Sequence, residues 1–526
     1  MLKLLQHPLR LALLYVEGWG DAIFTPRYNP MYHLGALGWW MYWLVAASGI
    51  YIYIFLDTSV AHAWSSVESI THDHWYHAGV MRSLHRYGSD LFVVVIMLHL
   101  LREFAMDRYH GVRWFAWFTG VPLIWFLFFS GVSGYWLVWD MLAQYLAVSA
   151  TEWVDWLGVL AQPLANNFLT PDALGDRFFS LLVYIHIFVP IIMLFVMWIH
   201  LLRMARAETN PPRYLALGTL AALIVLSLVY PAVSHGPADL TQTPAVLNLD
   251  WFYLGLFPLY DIWGPGALWA LAVGVSTLIS VVPFIHRHKP RPSAKVDLAN
   301  CNGCTRCAND CPFGAVVMQP RTDGRPFEKE PTVDPAMCTS CGTCMGACPT
   351  TSPFRTKGAV SAGIMLPDYD LVNLRERVDA AVATLKGPVR ILVFGCEWGA
   401  RVEALASDEV AAVELRCASH LSPTFVDYAF TRCGVDGIVI TGCRDGECFH
   451  RLGVRWTEER LAGERDPALR DRVARDRILI AWAALTEQGK LAHWVRLFRD
   501  ELAEKRSGAS VQAAIDHEAA MAGGAP

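Results

Sequence analysis

Long apolar stretches dominate the first 290 residues, and six are long enough to cross a bilayer: roughly 34–56, 83–104, 114–139, 178–202, 214–233 and 262–285. The second is the least apolar, because Arg86 and Asp90 sit near its start. Past residue 290 the period changes. Short apolar runs at Val389–Phe394, Val410–Leu415 and Gly437–Thr441 alternate with helical stretches, which predicts a small α/β domain over about 388–490. A charged helix near 491–506 and an Ala/Gly-rich tail to residue 526 follow, the tail expected to be disordered. Pro290–Arg291–Pro292 reads as a stiff linker into a cysteine-rich module at about 295–355.

Loop charge gives these spans an orientation. Lys3, Arg10 and Arg27 precede the first span. Arg102, Arg108 and Arg113 follow the second, Arg203, Arg206 and Arg213 the fourth, and Arg287, Lys289, Arg291 and Lys295 the sixth. The opposite loops carry Asp57, Glu68 and Asp73, then Glu152, Asp155, Asp172 and Asp176, then Asp239, Asp250 and Asp261. Both termini and everything after residue 290 are therefore expected in the cytoplasm, with the protein multi-pass in a prokaryotic cell membrane. No short apolar segment with a small-residue cleavage site opens the chain, so no cleavable signal is expected. Composition agrees: 54% of residues are hydrophobic, 17% are charged, and mean hydropathy is +0.31. A net charge of −5, without basic runs interleaved with aromatics, gives no case for a nucleic-acid partner, and none is expected.

Chemistry enters with four histidines. His85 and His99 are fourteen positions apart in one apolar segment, and His186 and His200 in another. Fourteen residues is nearly four helical turns, so each pair lies close to one face, ~21 Å apart along the axis. Two such helices side by side offer facing imidazoles at two depths, the arrangement that holds two bis-histidine haems. Any one of these histidines taken alone reads more readily as a core residue bonded to a carbonyl, but two pairs at one interval argue for ligands. Gly35 with Gly49 and Gly120 with Gly134 repeat the interval on two other spans. Small residues let a backbone approach a flat ligand, though they also serve ordinary helix packing. Arg82 and Arg102, three residues before His85 and after His99, could pair with haem propionates or anchor the helix at the interface.

All thirteen cysteines lie between 301 and 448, a pattern of metal ligation in a reducing compartment rather than of disulfides. Cys301-x2-Cys304-x2-Cys307-x3-Cys311-Pro312 and Cys338-x2-Cys341-x2-Cys344-x3-Cys348-Pro349 are duplicated. At this spacing three thiolates wrap one cubane and the fourth reaches the other. Cys301, Cys304, Cys307 and Cys348 are thus expected to hold one [4Fe–4S], and Cys338, Cys341, Cys344 and Cys311 the second, with structural zinc as the competing reading. Cys396, Cys417, Cys443 and Cys448 each follow an apolar run, so three strand ends could bring four thiols together at a metal site. Cys433 reads as a buried apolar residue.

Residues 30–205 resemble the haem-binding core of cytochrome b of the bc1 and b6f type. The resemblance is carried by Arg82-Ser-Leu-His85-Arg86-Tyr87, His99-Leu-Leu-Arg102, Gly131-Val-Ser-Gly134-Tyr135-Trp-Leu-Val-Trp139-Asp140 and the Pro190 that follows His186. It implies an outer haem b on His85 and His186 and an inner one on His99 and His200, and it admits dimerisation through this region. Residues 213–285 resemble the start of the family's C-terminal part. Leu249-Asp250-Trp251-Phe252-Tyr253 stands where the family has its quinol-oxidation motif, with Leu249 for proline and Asp250 for glutamate. Val138 replaces a further proline, and Arg177 lies about one helical turn farther from His186 than in the family. The resemblance makes Asp250 and Tyr253 a quinone-site pair; a solvated loop carboxylate is the other reading of Asp250.

Residues 295–355 resemble bacterial two-cluster ferredoxins. Residues 388–490 resemble the iron–sulfur delta subunit of methyl-viologen-reducing hydrogenase, through Cys396-Glu-Trp398, Arg416-Cys417 and Thr441-Gly-Cys443-Arg-Asp-Gly-Glu-Cys448-Phe-His450. That resemblance implies one [2Fe–2S] on Cys396, Cys417, Cys443 and Cys448. Gly399 stands where the family often has another cysteine, and Ala418–His420 replaces its Ser-Gly-Arg turn.

The expected architecture is multidomain. An all-α transmembrane bundle comprises a haem-binding four-helix part (1–210) and two further spans (211–290). A ferredoxin-like α+β module (295–355), a small α/β iron–sulfur domain (388–490) and a C-terminal helix with tail (491–526) complete it. The expected function is an electron-transfer subunit linking membrane quinone, through haems and clusters, to a cytoplasmic flavin or iron–sulfur oxidoreductase of heterodisulfide-reductase-like kind. A haem-bearing anchor without a quinone site is the alternative, and a redox sensor a third. No Gly-x-Gly-x-x-Gly fingerprint, Rieske motif or Cys-x2-Cys-His site occurs, so nucleotide and flavin chemistry is expected on a partner chain.

Overall fold

The computed structural model describes residues 2–159, 163–170, 173–204, 207–244, 246–285, 291–355 and 360–507. Asp172, Arg206, Arg287, Lys289, Pro290 and the tail beyond 507 lie outside the described residues. Two compact units form, one from 33–203 and 207–287, the other from 1–32, 204–206 and the chain from 288 onward. Helix α1 (Leu2–Tyr28) therefore groups by contact with the C-terminal unit rather than with the other helices.

The helical unit runs α2 (Leu34–Tyr53), α3 (Ala63–His72), α4 (Val80–Ala105), α5 (Trp114–Trp136), α6 (Met141–Asp155), α7 (Leu164–Phe168), α8 (Asp176–Leu201), α9 (Arg213–Val229), α10 (Trp251–Leu254) and α11 (Leu256–Ile285). Helix α2 packs along α4, α5 along α8, and α9 against α4. Met41, Leu84, Phe92, Leu127, Met193 and Met197 form the core between them. Among the described residues three helical stretches are long and apolar enough to cross a membrane: Gly111–Trp136, α8 and α11. Helix α9 is apolar but shorter. Helices α2 and α4 occupy the first two expected spans. The Trp and Tyr residues of α2, and Arg82, Arg86, Asp90, Arg102 and Glu103 of α4, lower their hydropathy. Length and composition thus support three of the six expected spans. Helix α11 bends at Gly264, whose φ of 78° suits glycine, and Pro265 then opens its longer, apolar part. Asp140 caps α6, its carboxylate accepting from Ala143 N at 2.9 Å.

In the cysteine-rich region β1 (Lys295–Val296) and β4 (Ile364–Met365) pair antiparallel, as do β2 (Val316–Pro320) and β3 (Lys329–Val333). Two short helices, α12 (Arg306–Asp310) and α13 (Thr343–Gly346), complete this α+β module. Helix α14 (Leu371–Ala383), capped by Asp370, leads into a parallel four-stranded sheet. Its strands β5 (Ile391–Cys396), β6 (Val410–Leu415), β7 (Gly437–Thr441) and β8 (Ile478–Ile480) lie in the order β6-β5-β7-β8. Helices α15 (Pro423–Thr431), α16 (Gly453–Ala462) and α17 (Gln488–Ser507) complete this unit. Alternation along β5 sends Leu392 and Phe394 to a core with α14 and α15, and Ile391 and Val393 to one with α17. Being covered on both faces, the strands read as continuous apolar runs. Cys396, Cys417 and Cys443 end or follow β5, β6 and β7, so all three sit at the carboxyl edge of one parallel sheet.

Candidate redox centres

Each of the four histidines faces a glycine of the neighbouring helix. A Cβ built on Gly49 would lie 2.8 Å from His85 Cε1, on Gly134 3.0 Å from His186, on Gly120 3.4 Å from His200 and on Gly35 3.5 Å from His99. Both glycine pairs thus lie on the imidazole faces of the helices beside them.

A backbone carbonyl four residues before the glycine engages three of the rings. Val45 O is 2.9 Å from His85 Nδ1, and Ser130 and Ala116 supply the carbonyls for His186 and His200. The residue immediately before each of these glycines adds a hydroxyl: Ser48, Ser133 and Thr119 lie 3.2 Å from the Nδ1 of His85, His186 and His200. These hydroxyls donate to their own helix carbonyls, at Leu44, Phe129 and Phe115, so their oxygens accept from the ring. A carbonyl can only accept, which fixes the proton on Nδ1 and leaves the Nε2 lone pair for a metal. Leu34 precedes Gly35, so His99 has no hydroxyl at the equivalent place.

The centroids of the His85 and His186 rings are 6.2 Å apart. Two imidazoles on opposite faces of one metal, at ~2 Å bonds, put their centroids roughly 6 Å apart. These residues fit a bis-histidine haem.

Arg82 bonds to Thr71 and, at 2.8 Å, to Ser234; Arg102 is buried. Asp250 accepts from Arg86 at 2.6 Å and from Tyr135 at 2.8 Å, and Arg86 also pairs with Asp90 and lies 4.8 Å over the Tyr135 ring. Asp250 is therefore held in an ion-pair network rather than solvated in a loop. Tyr253 is buried, its hydroxyl 2.6 Å from that of Ser89. Arg86, Asp90 and Tyr135 escape the sequence reading as members of this cluster; the opposite charges four residues apart within a span were the available signal.

The duplicated cysteines interleave. One cavity is lined by Cys301, Cys304, Cys307 and Cys348, the other by Cys311, Cys338, Cys341 and Cys344. Burial and the neighbouring sulfurs raise the Cys307 thiol to about 12 and Cys341 to about 11, although Thr343 opposes the latter shift. The raised values favour the protonated thiol wherever no positive charge is present; a bound metal centre supplies that charge and holds the sulfurs as thiolates. Among the described residues no three His, Cys, Asp or Glu side chains are arranged to hold a single ion.

At the sheet edge Cys396 contacts Cys417 and Cys443, and Cys448 contacts the same two. Hydrogen bonds from Cys417 and Cys443 hold Cys448 far below the usual thiol range, while contact with its neighbours raises Cys396. All four are buried. The Trp398 and Phe449 rings stack at 3.5 Å beside them. Cys433 stands apart, its sulfur 3.5 Å from Asp379.

Residues 21–208 match the family model for cytochrome b/b6/petB. The N-terminal region is cytochrome b-like. Its relatives include cytochrome b6 of Gracilaria tenuistipitata var. liui, 26% identical over 188 residues, which covers 36% of this chain and 87% of that protein. Cytochrome b of Acanthamoeba castellanii is 23% identical over 268 residues, covering 45% and 67%. A solved chain described as "Hyperthermophilic respiratory Complex III" aligns at 20% identity with a TM-score of 0.39, over 49% of this chain and 76% of that one. Residues 300–352 match the 4Fe-4S dicluster domain, and residues 391–504 the delta subunit of methyl-viologen-reducing hydrogenase. The cytochrome b-like region contains all four facing histidines, and the other two matches contain all the remaining cysteine sets. The chain combines a membrane haem-protein region with iron–sulfur regions, the make-up of a membrane electron-transfer subunit.

Proposed function

We propose that the chain carries electrons between membrane quinone and a cytoplasmic flavin or iron–sulfur oxidoreductase. In this reading His85 with His186 and His99 with His200 hold two b haems. The two interleaved cysteine sets hold two [4Fe–4S] clusters, and Cys396, Cys417, Cys443 and Cys448 hold one [2Fe–2S] that faces the partner. One-electron chemistry belongs to these groups; the protein supplies ligation, spacing and a low dielectric. The observation that carries the reading is the 6.2 Å opposition of His85 and His186, with their Nδ1 atoms held by backbone and hydroxyl acceptors. It is supported by the cysteine sets within the same chain. Loop charges favour a cytoplasmic location for those sets.

The test is anaerobic reduction of the purified protein, with its co-purifying partner, by a short-chain quinol. The α-bands of both haems should appear and should be blocked by quinone-site inhibitors. Replacing His99 or His200 should remove one haem and leave the other. Loss of both in a folded variant contradicts the two-pair assignment. One observation favours a second reading, a haem-bearing anchor that docks a soluble enzyme without an outer quinone site: Asp250 is already committed to Arg86 and Tyr135. Haems that never exchange electrons with quinol would establish that reading.

A further inference from the structure

Thr343 and Ser419 are both fully buried, and their hydroxyl oxygens are 2.6 Å apart. Thr343 Oγ1 is also 3.3 Å from Cys341 Sγ, and Ser419 Oγ is 3.3 Å from Cys417 Sγ. A continuous S···O···O···S chain therefore joins one cubane cysteine set to the sheet-edge set.

Its proton count is short. Each hydroxyl has one proton and two lone pairs, so two protons serve three gaps. Oxygens at 2.6 Å need a proton between them, which leaves one proton for two sulfurs. Either Thr343 donates to Ser419 and Ser419 to Cys417, or Ser419 donates to Thr343 and Thr343 to Cys341.

The backbone that carries both hydroxyls is closely packed. Buried Arg460 donates to Ser419 O at 2.9 Å and to Asp310 at 2.5 Å. Gly342 has a φ of 79°, and a Cβ there would lie 2.6 Å from the His420 ring. His420 Nε2 in turn lies 3.2 Å from Met345 Sδ. Turning the O–H bonds requires none of these contacts to move.

We infer that the Thr343–Ser419 hydroxyl pair is a two-state relay that stabilises added negative charge on the Cys341 set or on the Cys417 set, never on both. This rests on the reading that both sets hold iron–sulfur clusters. A hydrogen bond to a charged acceptor is about twice as strong as a neutral one, so the donor follows the electron. When an electron leaves one set for the other, both O–H bonds turn over, and no proton leaves either oxygen. Reduction of one set thereby makes reduction of the other harder.

The experiment is an EPR-monitored redox titration of the full-length protein with Ser419→Ala, Thr343→Val and the hydroxyl-retaining Thr343→Ser. Ser419→Ala leaves Thr343 donating to Cys341, and Thr343→Val leaves Ser419 donating to Cys417. The cubane midpoint should therefore be higher, and the sheet-edge midpoint lower, in Ser419→Ala than in Thr343→Val. Each difference should be about tenfold in the reduction equilibrium, ~59 mV for one electron. The unmodified protein and Thr343→Ser, in which the donor follows the first electron, should titrate like the variant that keeps its donor on the set reduced first. Differences of the same sign at the two clusters, or equal midpoints in the two variants with both signals intact, overturn the relay. Should either variant fail to assemble, Thr343→Ala or Ser419→Gly replaces it. A missing sheet-edge signal in the unmodified protein overturns the cluster reading itself.

Discussion

The four glycine–histidine contacts are not equally tight, and that difference can be measured. Alanine at Gly49 would put its Cβ 2.8 Å from His85 Cε1, and at Gly134 3.0 Å from His186, distances at which the ring or helix must move. At Gly120 and Gly35 the corresponding distances are 3.4 and 3.5 Å, ordinary van der Waals contact. One methyl forced into a packed site costs about 1–3 kcal/mol, which is roughly 5- to 150-fold in retention of the group the ring holds. Gly49→Ala and Gly134→Ala should therefore weaken the His85/His186 haem by that factor and leave the other intact. Gly35→Ala and Gly120→Ala should change haem retention less than about threefold, under about 0.7 kcal/mol. The assay is haem content with low-temperature reduced-minus-oxidised spectra, in which the two α-bands are resolved. Equal losses from all four substitutions, or greater loss at Gly35 than at Gly49, would refute the argument.

Other outcomes follow from the soluble unit. Cys311→Ser should degrade the EPR signal of the cluster on Cys338, Cys341 and Cys344, and Cys348→Ser that of the cluster on Cys301, Cys304 and Cys307; damage confined to the substituted run would disprove the interleaving. Arg460→Ala removes a buried guanidinium and leaves Asp310 with Arg465 as partner at 2.7 Å. The cost should fall near the low end for a broken buried pair, ~3 kcal/mol, or about a hundredfold faster hydrogen exchange around α12 and α16. Less than threefold acceleration would show that Arg465 suffices.

What could be read from the chain divides along the range of the contacts involved. The fourteen-residue interval marks one face of a helix, so the histidines and their glycines are visible in the sequence. So are β5, β6 and β7, whose double coverage makes them continuous apolar runs. The three-residue β8 is too short to register. Ser48, Thr119 and Ser133, each directly before one of the glycines, are a local signal of the same kind, visible only once the glycines are read together with their neighbours. The Asp250–Arg86 pair joins residues 164 apart, and no local pattern carries it. The same holds for α1, which meets the sheet-edge loops through Asp21, 3.4 Å from Arg444, while Tyr32 just beyond α1 lies 3.3 Å from the same side chain. The Thr343–Ser419 contact joins residues 76 apart, and no local pattern carries it.

In the proposed function, haems connect the clusters to quinone. Protein with reduced clusters, freed of excess reductant and mixed anaerobically with a short-chain quinone, should reoxidise clusters and haems together in stopped flow. His200→Ala, lacking one haem, should slow cluster reoxidation at least tenfold. Clusters reoxidised at the unmodified rate in that variant, or not at all by quinone in the unmodified protein, would contradict the account.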